Sequence, residues 1–400
     1  MKRRYLAAGL TCIMVLLAYY GIFIYRQSGA ASEKLKVGFI FENDESTPYT
    51  ANFVLARDAL MKEYQDNIEI ITLSNVRATE SDEPLHELMR QGCRIIFTND
   101  YSDVFVHVAS EHPETEFCMV SSASLHDLPD VKNFHSFNSQ IYQGRYVTGV
   151  IAGKKLRQLL DTRQITPDQA LVGFVGANPV PEVISGSTAF LLGVRSEAPE
   201  ARMKLRYTGS WCDYSKEKAC TETLIREGCI VISAHTNTIG PAVACEQSVN
   251  KVFLVGYNQS MMDVAPDSTL VSLRTNWTPY ITAAVDAVRQ GKPIEKIVDG
   301  TARGNDVMAG FDKGWVELIE LSTTLAAPGT QEKVDELIRA FGRGSLEVFE
   351  GNYTGTDPDN PLDIIDLNTP YEENATSSAA TFHYILDGVV EVETDEEDAA

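Results

Sequence analysis

The sequence predicts an α/β protein of two doubly wound Rossmann-like lobes, and three observations lead there. First, the chain repeats itself once. Leu88-Met89-Arg90-Gln91-Gly92-Cys93-Arg94-Ile95-Ile96-Phe97 returns as Leu224-Ile225-Arg226-Glu227-Gly228-Cys229-Ile230-Val231-Ile232-Ser233. At nearly the same offset Val37-Gly38-Phe39 returns as Val172-Gly173-Phe174, and Glu116–Val120 resembles 252–256. Matches in one order at one offset mark a domain-sized duplication, far too long in period for a solenoid. Second, short continuous apolar runs alternate with helical spacing, as in parallel strands covered on both faces. Third, the 400 residues exceed one ordinary core at roughly 150 residues per domain.

The elements follow in order. In the first copy 35–41 is an apolar run of β-formers, 51–64 has helical spacing and 68–73 reads as a strand. A helix over 83–91 stops at Gly92, a residue that tolerates the left-handed conformation at a helix end. A strand at 94–98, a helix at 103–111 and a strand at 116–121 complete the copy. The second copy places strands at 171–175, 203–207, 229–234 and 251–257, with helices at 183–197, 215–227 and 241–249. After Pro279 a helix runs to about residue 290, stopped by Gly291-Lys292-Pro293, and 313–343 reads as helical. The expected organisation is lobe one over 35–140 with a return segment 276–345, lobe two over 141–275, and a β-prone C-terminal extension over 346–400. Within the extension, Asp387-Gly388 between two β-prone runs signals a hairpin, and the stretch from Glu391 to Asp398 is acidic.

The N-terminus sets the expected compartment. Met1-Lys2-Arg3-Arg4 precedes an uncharged apolar stretch over 5–25, long enough as a helix to span a ~30 Å hydrocarbon core. Residues 1–30 therefore read as a signal anchor, with a cleaved signal peptide or lipidation at Cys12 as alternatives. The basic flank stays cytoplasmic, so the rest is expected outside, anchored to the cell membrane. Export permits disulfides among Cys93, Cys118, Cys212, Cys220, Cys229 and Cys245. Cys212 and Cys220 flank a polar stretch and form the best candidate pair. Cys93, Cys118 and Cys229 sit in apolar runs, where a buried thiol is the alternative.

Charge and motifs narrow the function. Lys+Arg 34 against Asp+Glu 56 gives −22, which argues against a basic phosphate-binding face and so against nucleic acid. No G-x-S-x-G, H-E-x-x-H or Walker A motif occurs, so no enzymatic activity and no cofactor are expected. Gly173-Phe174-Val175-Gly176 lacks the full dinucleotide fingerprint, and Pro179 and Pro181 interrupt the helix start that would hold a pyrophosphate. The carboxylates of 357–363 lack EF-hand spacing and read as a solvated turn, so no metal is expected.

In open parallel sheets, ligands sit beyond the carboxyl ends of the strands, and two facing lobes make a cleft that can close. The candidate contacts are the strand-end residues. Lobe one offers Glu42, Asn43, Asp44, Tyr49, Asn99, Asp100 and Tyr101; lobe two offers Asn178, Pro181, Glu182, His235, Thr236, Asn237, Tyr257 and Asn258. Asn99 and His235 fall at equivalent places in the two copies. Aromatics can stack a ring while amides and carboxylates discriminate hydroxyls, a mixture suited to a nucleoside-like molecule. Asn276 and Trp277 sit at the return crossing, where Trp277 either lines the cleft or packs the hinge. Trp211 and Trp315 read as structural.

Several stretches carry a family resemblance. They are Ile141-Tyr142-Gln143-Gly144-Arg145-Tyr146-Val147-Thr148-Gly149-Val150-Ile151-Ala152-Gly153, Val172-Gly173-Phe174-Val175-Gly176, Pro181-Glu182-Val183-Ile184-Ser185-Gly186, Tyr257-Asn258-Gln259-Ser260-Met261 and Asn276-Trp277-Thr278-Pro279-Tyr280. Over residues 35–341 the chain resembles the basic membrane protein family of ABC-transporter substrate-binding proteins, which includes purine-nucleoside receptors. The resemblance implies a type I periplasmic-binding-protein fold, a small-molecule ligand and an ABC permease as partner. It places Tyr49 where the nucleoside receptors stack an aromatic on the base. It places Asn258, an uncharged amide, where they hold ribose with an Asp. Thr275 or Asn276, beside Arg274, falls near their basic residue. The function expected is an extracytoplasmic solute-binding receptor for a nucleoside-like molecule. The rivals are a ligand-sensing receptor acting with a signalling partner and a nucleoside-acting hydrolase.

Overall fold

The computed structural model describes residues 34–121 and 131–391. The N-terminal apolar stretch with Cys12, and the acidic end after Glu391, lie outside the described residues. Among the described residues no helix is long and apolar enough to cross a membrane.

Lobe one opens with β1 (Leu35–Ile40), α1 (Pro48–Tyr64), β2 (Ile68–Leu73), α2 (Asp82–Arg90), β3 (Ile95–Thr98), α3 (Asp103–Glu111), β4 (Glu116–Val120) and β5 (Phe134–Ser139). These strands are parallel, in the spatial order β2-β1-β3-β4-β5. Lobe two follows with α4 (Ile141–Asp161), β6 (Leu171–Gly176), α5 (Pro181–Glu197), β7 (Arg202–Tyr207), α6 (Tyr214–Arg226), β8 (Val231–His235), α7 (Gly240–Glu246), β9 (Phe253–Tyr257) and β10 (Thr269–Thr275). Its parallel order is β7-β6-β8-β9-β10, the same topology again. The central strands are apolar because helices cover both faces: every residue of β3 and of β8 is buried. Gly92 (φ +88°) and Gly228 (φ +93°) close equivalent helices in the left-handed region.

Three crossings join the lobes. The chain passes from β5 into α4 and from β10 back into α8 (Thr278–Gln290), whose Tyr280, Ile281, Ala284 and Val285 are buried in the lobe-one core. Then β11 (Thr301–Arg303) and β12 (Asp306–Ala309) extend the lobe-one sheet beside β5, before β13 (Val316–Ile319) pairs antiparallel with β10 in lobe two. This corrects the expectation that 276–345 returns wholly to lobe one. From β13 onward the segment belongs to lobe two, because β10 presents an open edge and α9 (Thr330–Gly342) buries Val334, Leu337 and Phe341 in that core. The helical reading of 313–343 likewise holds only for α9.

The extension forms a small antiparallel sheet of β14 (Thr354–Asp357), β15 (Asn360–Asp366) and β16 (Ile385–Leu386). The hairpin expected at Asp387-Gly388 does not form. β16 pairs with β14, whereas β17 (Val389–Glu391) pairs parallel with β7, and Gly388 (φ +84°) turns the chain between the two sheets. The open β7 edge competes successfully for the last strand. Phe349, Leu367, Phe382 and Leu386 join the lobe-two core. The expected Cys212–Cys220 bridge is also absent: Cys212 is an exposed free thiol in the loop before α6, while Cys220 is turned into the core beneath that helix.

Candidate functional site

The carboxyl ends of both sheets face a common cleft, and its cavity holds about 240 Å³. That lies just below the range of roughly 300–1,000 Å³ usual for small-molecule sites, so the occupant is compact. Both lobes contribute walls.

On lobe one the β1 and β3 ends are tied together by Asn99. Its Oδ1 accepts from the Glu42 backbone N–H (2.9 Å) and its Nδ2 donates to Thr50 Oγ1 (3.2 Å). Tyr49, in the first turn of α1 beside Pro48, donates its hydroxyl to the Asn99 carbonyl (2.9 Å) and packs its ring edge-on to Phe53. Burial raises the Tyr49 hydroxyl well above its ordinary value, helped by Glu182, Asp100, Tyr257 and Glu42 around it. Burial also raises Glu42, with Asp100 adding repulsion, and burial raises Asp100.

On lobe two His235 ends β8, fully buried, with Nε2 at 3.5 Å from Glu182 Oε1 and 3.3 Å from the Tyr257 hydroxyl. Burial, then the nearby Arg145 charge, pushes its pKa down to about 4, so the imidazole is neutral at physiological pH. Trp211 stands edge-on to it, with ring centroids 6.1 Å apart. Burial likewise pushes Tyr257 up to about 12.

Trp277 serves wall and hinge together. It lines the cavity, stacks on Phe53 at 4.7 Å and meets Phe137 edge-on, fastening the second crossing to lobe one. The first and second crossings meet where Ser139 and Thr275, the last residues of β5 and β10, share a hydroxyl hydrogen bond of 2.8 Å.

Of the sequence-derived residues, the structure brings Glu42, Tyr49, Asn99, Tyr101, Glu182, His235, Asn237, Tyr257 and Trp277 to the cavity wall. It does not bring Asp44, which is exposed and accepts from the Ser46 N–H in its own turn (3.0 Å). Asn276 is also displaced: its side chain donates to the Gly314 carbonyl (3.1 Å) and to Glu317 Oε1 (2.8 Å), bracing the crossing. Asn258 sits one layer behind the wall at φ +66°, a conformation Asn tolerates. It accepts from Asn52 of lobe one (3.4 Å) and donates to Asn237 (3.1 Å), an amide chain across the cleft.

Sequence reasoning missed Trp211, read as structural, although its place after β7 is again a strand end. It also missed Arg145, whose charge in an otherwise apolar stretch of α4 was the available signal. Arg145 is fully buried, donates Nη1 to the Ala234 carbonyl (2.8 Å) and lies 3.9 Å above the Tyr257 ring. Among the described residues the wall carries Glu42, Asp100 and Glu182 and neither Lys nor Arg. Such a surface repels phosphate and accepts neutral or donor-rich molecules.

Outside the cleft, Asp357, Asp363 and His383 of the extension place ligand atoms within 4.8 Å of one another and are the group, among the described residues, that could gather around a cation.

The comparisons agree with this architecture. Residues 35–343 match the family model described as ABC transporter substrate-binding protein PnrA-like. A purine-binding protein of Brucella abortus is 29% identical over 326 residues, 80% of this chain and 85% of that protein. A putative ABC transporter glucose-binding protein of Haloferax volcanii is 27% identical, over 59% of this chain and 56% of its own length. Basic membrane protein B of Borreliella afzelii is 23% identical over 62% of this chain and 71% of its own. Among solved structures, solute-binding proteins of ABC transporters from Aeropyrum pernix and Conexibacter woesei superpose with TM-scores of 0.63 and 0.60 at 15% and 17% identity. Each spans 78% of this chain, with 92% and 98% of the respective structures covered. At that identity they establish the fold, two α/β lobes around a cleft. The duplicated sheets, the shared cleft and the match over most of its length show that this chain belongs to the PnrA-like family of ABC transporter substrate-binding proteins.

Proposed function

We propose that the solute this extracytoplasmic receptor captures for its ABC permease is an uncharged, nucleoside-like molecule, and that residues 1–30 tether it to the membrane. The carrying observation is the chemistry of the wall. Tyr49, Trp211, Tyr257 and Trp277 offer aromatic surface, Asn99, Asn237 and Asn138 offer amides, and among the described residues the charged groups are carboxylates alone. Aromatic faces suit a planar base, amides and carboxylates suit hydroxyls and ring N–H groups, and a phosphate would meet only like charge. The purine-binding protein of Brucella abortus supports a nucleobase as part of the ligand. Binding occurs without turnover: the wall holds the ligand from both lobes, and closure follows from its extra contacts in the closed state.

The experiment is calorimetry of the purified protein against nucleosides, free bases, nucleotides and glucose, with mass spectrometry of the recovered ligand. We expect a nucleoside Kd at or below about 1 μM, an intact ligand, and no binding of the matching nucleotide. Binding of glucose alone would replace the nucleoside reading, and a cleaved nucleoside would make the protein a hydrolase.

A further inference from the structure

Behind the lobe-two wall lies a buried cation that no hydrogen bond fully satisfies. Of the Arg145 side-chain nitrogens, Nη1 has the Ala234 carbonyl, while Nε and Nη2 have no hydrogen-bond partner. The same is true of His235 Nδ1. Arg145 Nε and His235 Nδ1 both border the space over Gly186 of α5. A methyl group on Gly186 would stand 3.0 Å from His235 Nδ1 and 3.6 Å from Arg145 Nε. The absent side chain lets guanidinium and imidazole share one small space.

We infer that Arg145 is a positioning residue: it fixes the proton of His235 on Nε2, so that lobe two presents the cleft with a neutral imidazole whose N–H is held toward Glu182 and Tyr257. The inference rests on the reading that His235 faces the ligand. The groups around the imidazole are Arg145 from α4, Glu182 from α5, Tyr257 from β9 and Trp211 from the loop after β7. A proton on Nδ1 would point its positive end at the guanidinium. A proton on Nε2 turns the Nδ1 lone pair toward that cation and finds acceptors in Glu182 Oε1 (3.5 Å) and the Tyr257 oxygen (3.3 Å). Protonating both nitrogens would set two cations side by side without water. The low pKa of His235 agrees with this arrangement. The guanidinium carbon also lies 3.9 Å from the Tyr257 ring centroid, so one buried residue borders two wall side chains.

Nitrogen-15 NMR of the histidines in the full, ligand-free chain tests this directly. Wild-type His235 should show the Nε2–H tautomer and no titration between pH 5 and 8. In Arg145→Met the titration should move into that window and the tautomer preference should be lost, while Arg145→Lys should preserve both. An Nδ1–H tautomer in the wild type overturns the inference, whether or not Arg145→Met folds. So does an unchanged His235 in folded Arg145→Met. Inosine affinity, measured in parallel, should be flat from pH 5.5 to 8 in the wild type and weaken several-fold toward pH 5.5 in Arg145→Met. If inosine does not bind but the tautomer is as expected, the ligand reading fails and the role of Arg145 stands.

Discussion

His135 lies buried on β5 between two carboxylates, with Nδ1 at 2.5 Å from Glu295 Oε1 and Nε2 at 2.9 Å from Glu116 Oε2. Burial alone would lower its pKa, but the hydrogen bonds and charges of Glu116 and Glu295 outweigh that and leave it raised. Burial opposes ionisation of Glu295, yet His135 leaves that carboxyl lowered. The two shifts define a pH window. The raised His135 stabilises the fold fully below its unfolded pKa of about 6.5, and the contribution disappears as pH rises through the folded value. The lowered Glu295 contributes above its unfolded pKa of about 4.3 and loses that as pH falls through its folded value. The cluster is therefore worth most between about pH 4.5 and 6.5. We expect His135→Leu to cost about 3 kcal/mol there, since it strands two partly buried carboxylates. Thermal unfolding from pH 5 to 9 should show the gap to wild type narrowing as pH rises; a pH-independent gap would contradict the charged cluster. None of this was legible in the sequence, where His135, Glu116 and Glu295 are scattered. Glu42, Tyr49, Asn99 and His235 were legible, because strand ends follow directly from the hydrophobic pattern. Asp44 and Asn276 share that pattern but bond elsewhere, Asp44 within its own turn and Asn276 to the sequence-distant 314–317 segment.

At the scale of elements, the tightest packing joins α4 to α5, the helices that carry Arg145 and Glu182. Their axes meet at glycines: a Cβ on Gly149 would stand 2.1 Å from the Phe190 carbonyl oxygen, and one on Gly193 2.1 Å from that of Tyr146. Both neighbours are backbone atoms, which cannot rotate away. Gly149→Ala should therefore destabilise the protein by about 2–3 kcal/mol or more, lowering Tm by roughly 4–10 °C. A Tm within about 1 °C of wild type would mean that the helices part freely. The Gly-rich run of α4 was visible in the sequence, but its packing partner was not. The β13 segment went the other way. Read with α9 as one helical stretch, 316–319 is a strand because β10 offers an unpaired edge, and backbone pairing there overrides local preference.

For the whole molecule, the C-terminal extension ties the lobes together on a path separate from the three crossings. Glu373, almost wholly buried, accepts from Ser185 of lobe two (2.7 Å) and from the backbone N–H of Phe382 (2.8 Å). Five residues on, the Ser378 N–H donates to Asp306 of lobe one (2.6 Å), and its hydroxyl meets Ser121 on the cleft wall (2.5 Å). Opening the cleft strains this tie. Asp306→Ala should lower stability by about 1–3 kcal/mol and speed ligand release several-fold, read by thermal unfolding and stopped-flow. Unchanged release would confine the extension to folding of lobe two. The sequence by itself determined the duplication, the alternation of strand and helix, and the identity of the cleft loops. These are local or repeated signals, set by side-chain periodicity and by turn residues. Only the tertiary structure decided that β13, α9 and β17 belong to lobe two, that Cys212 is exposed while Cys220 is buried, and that Arg145 packs on the Tyr257 ring. Open sheet edges, helix crossings and buried charges depend on residues far apart in the chain, and the order of amino acids does not display those distances.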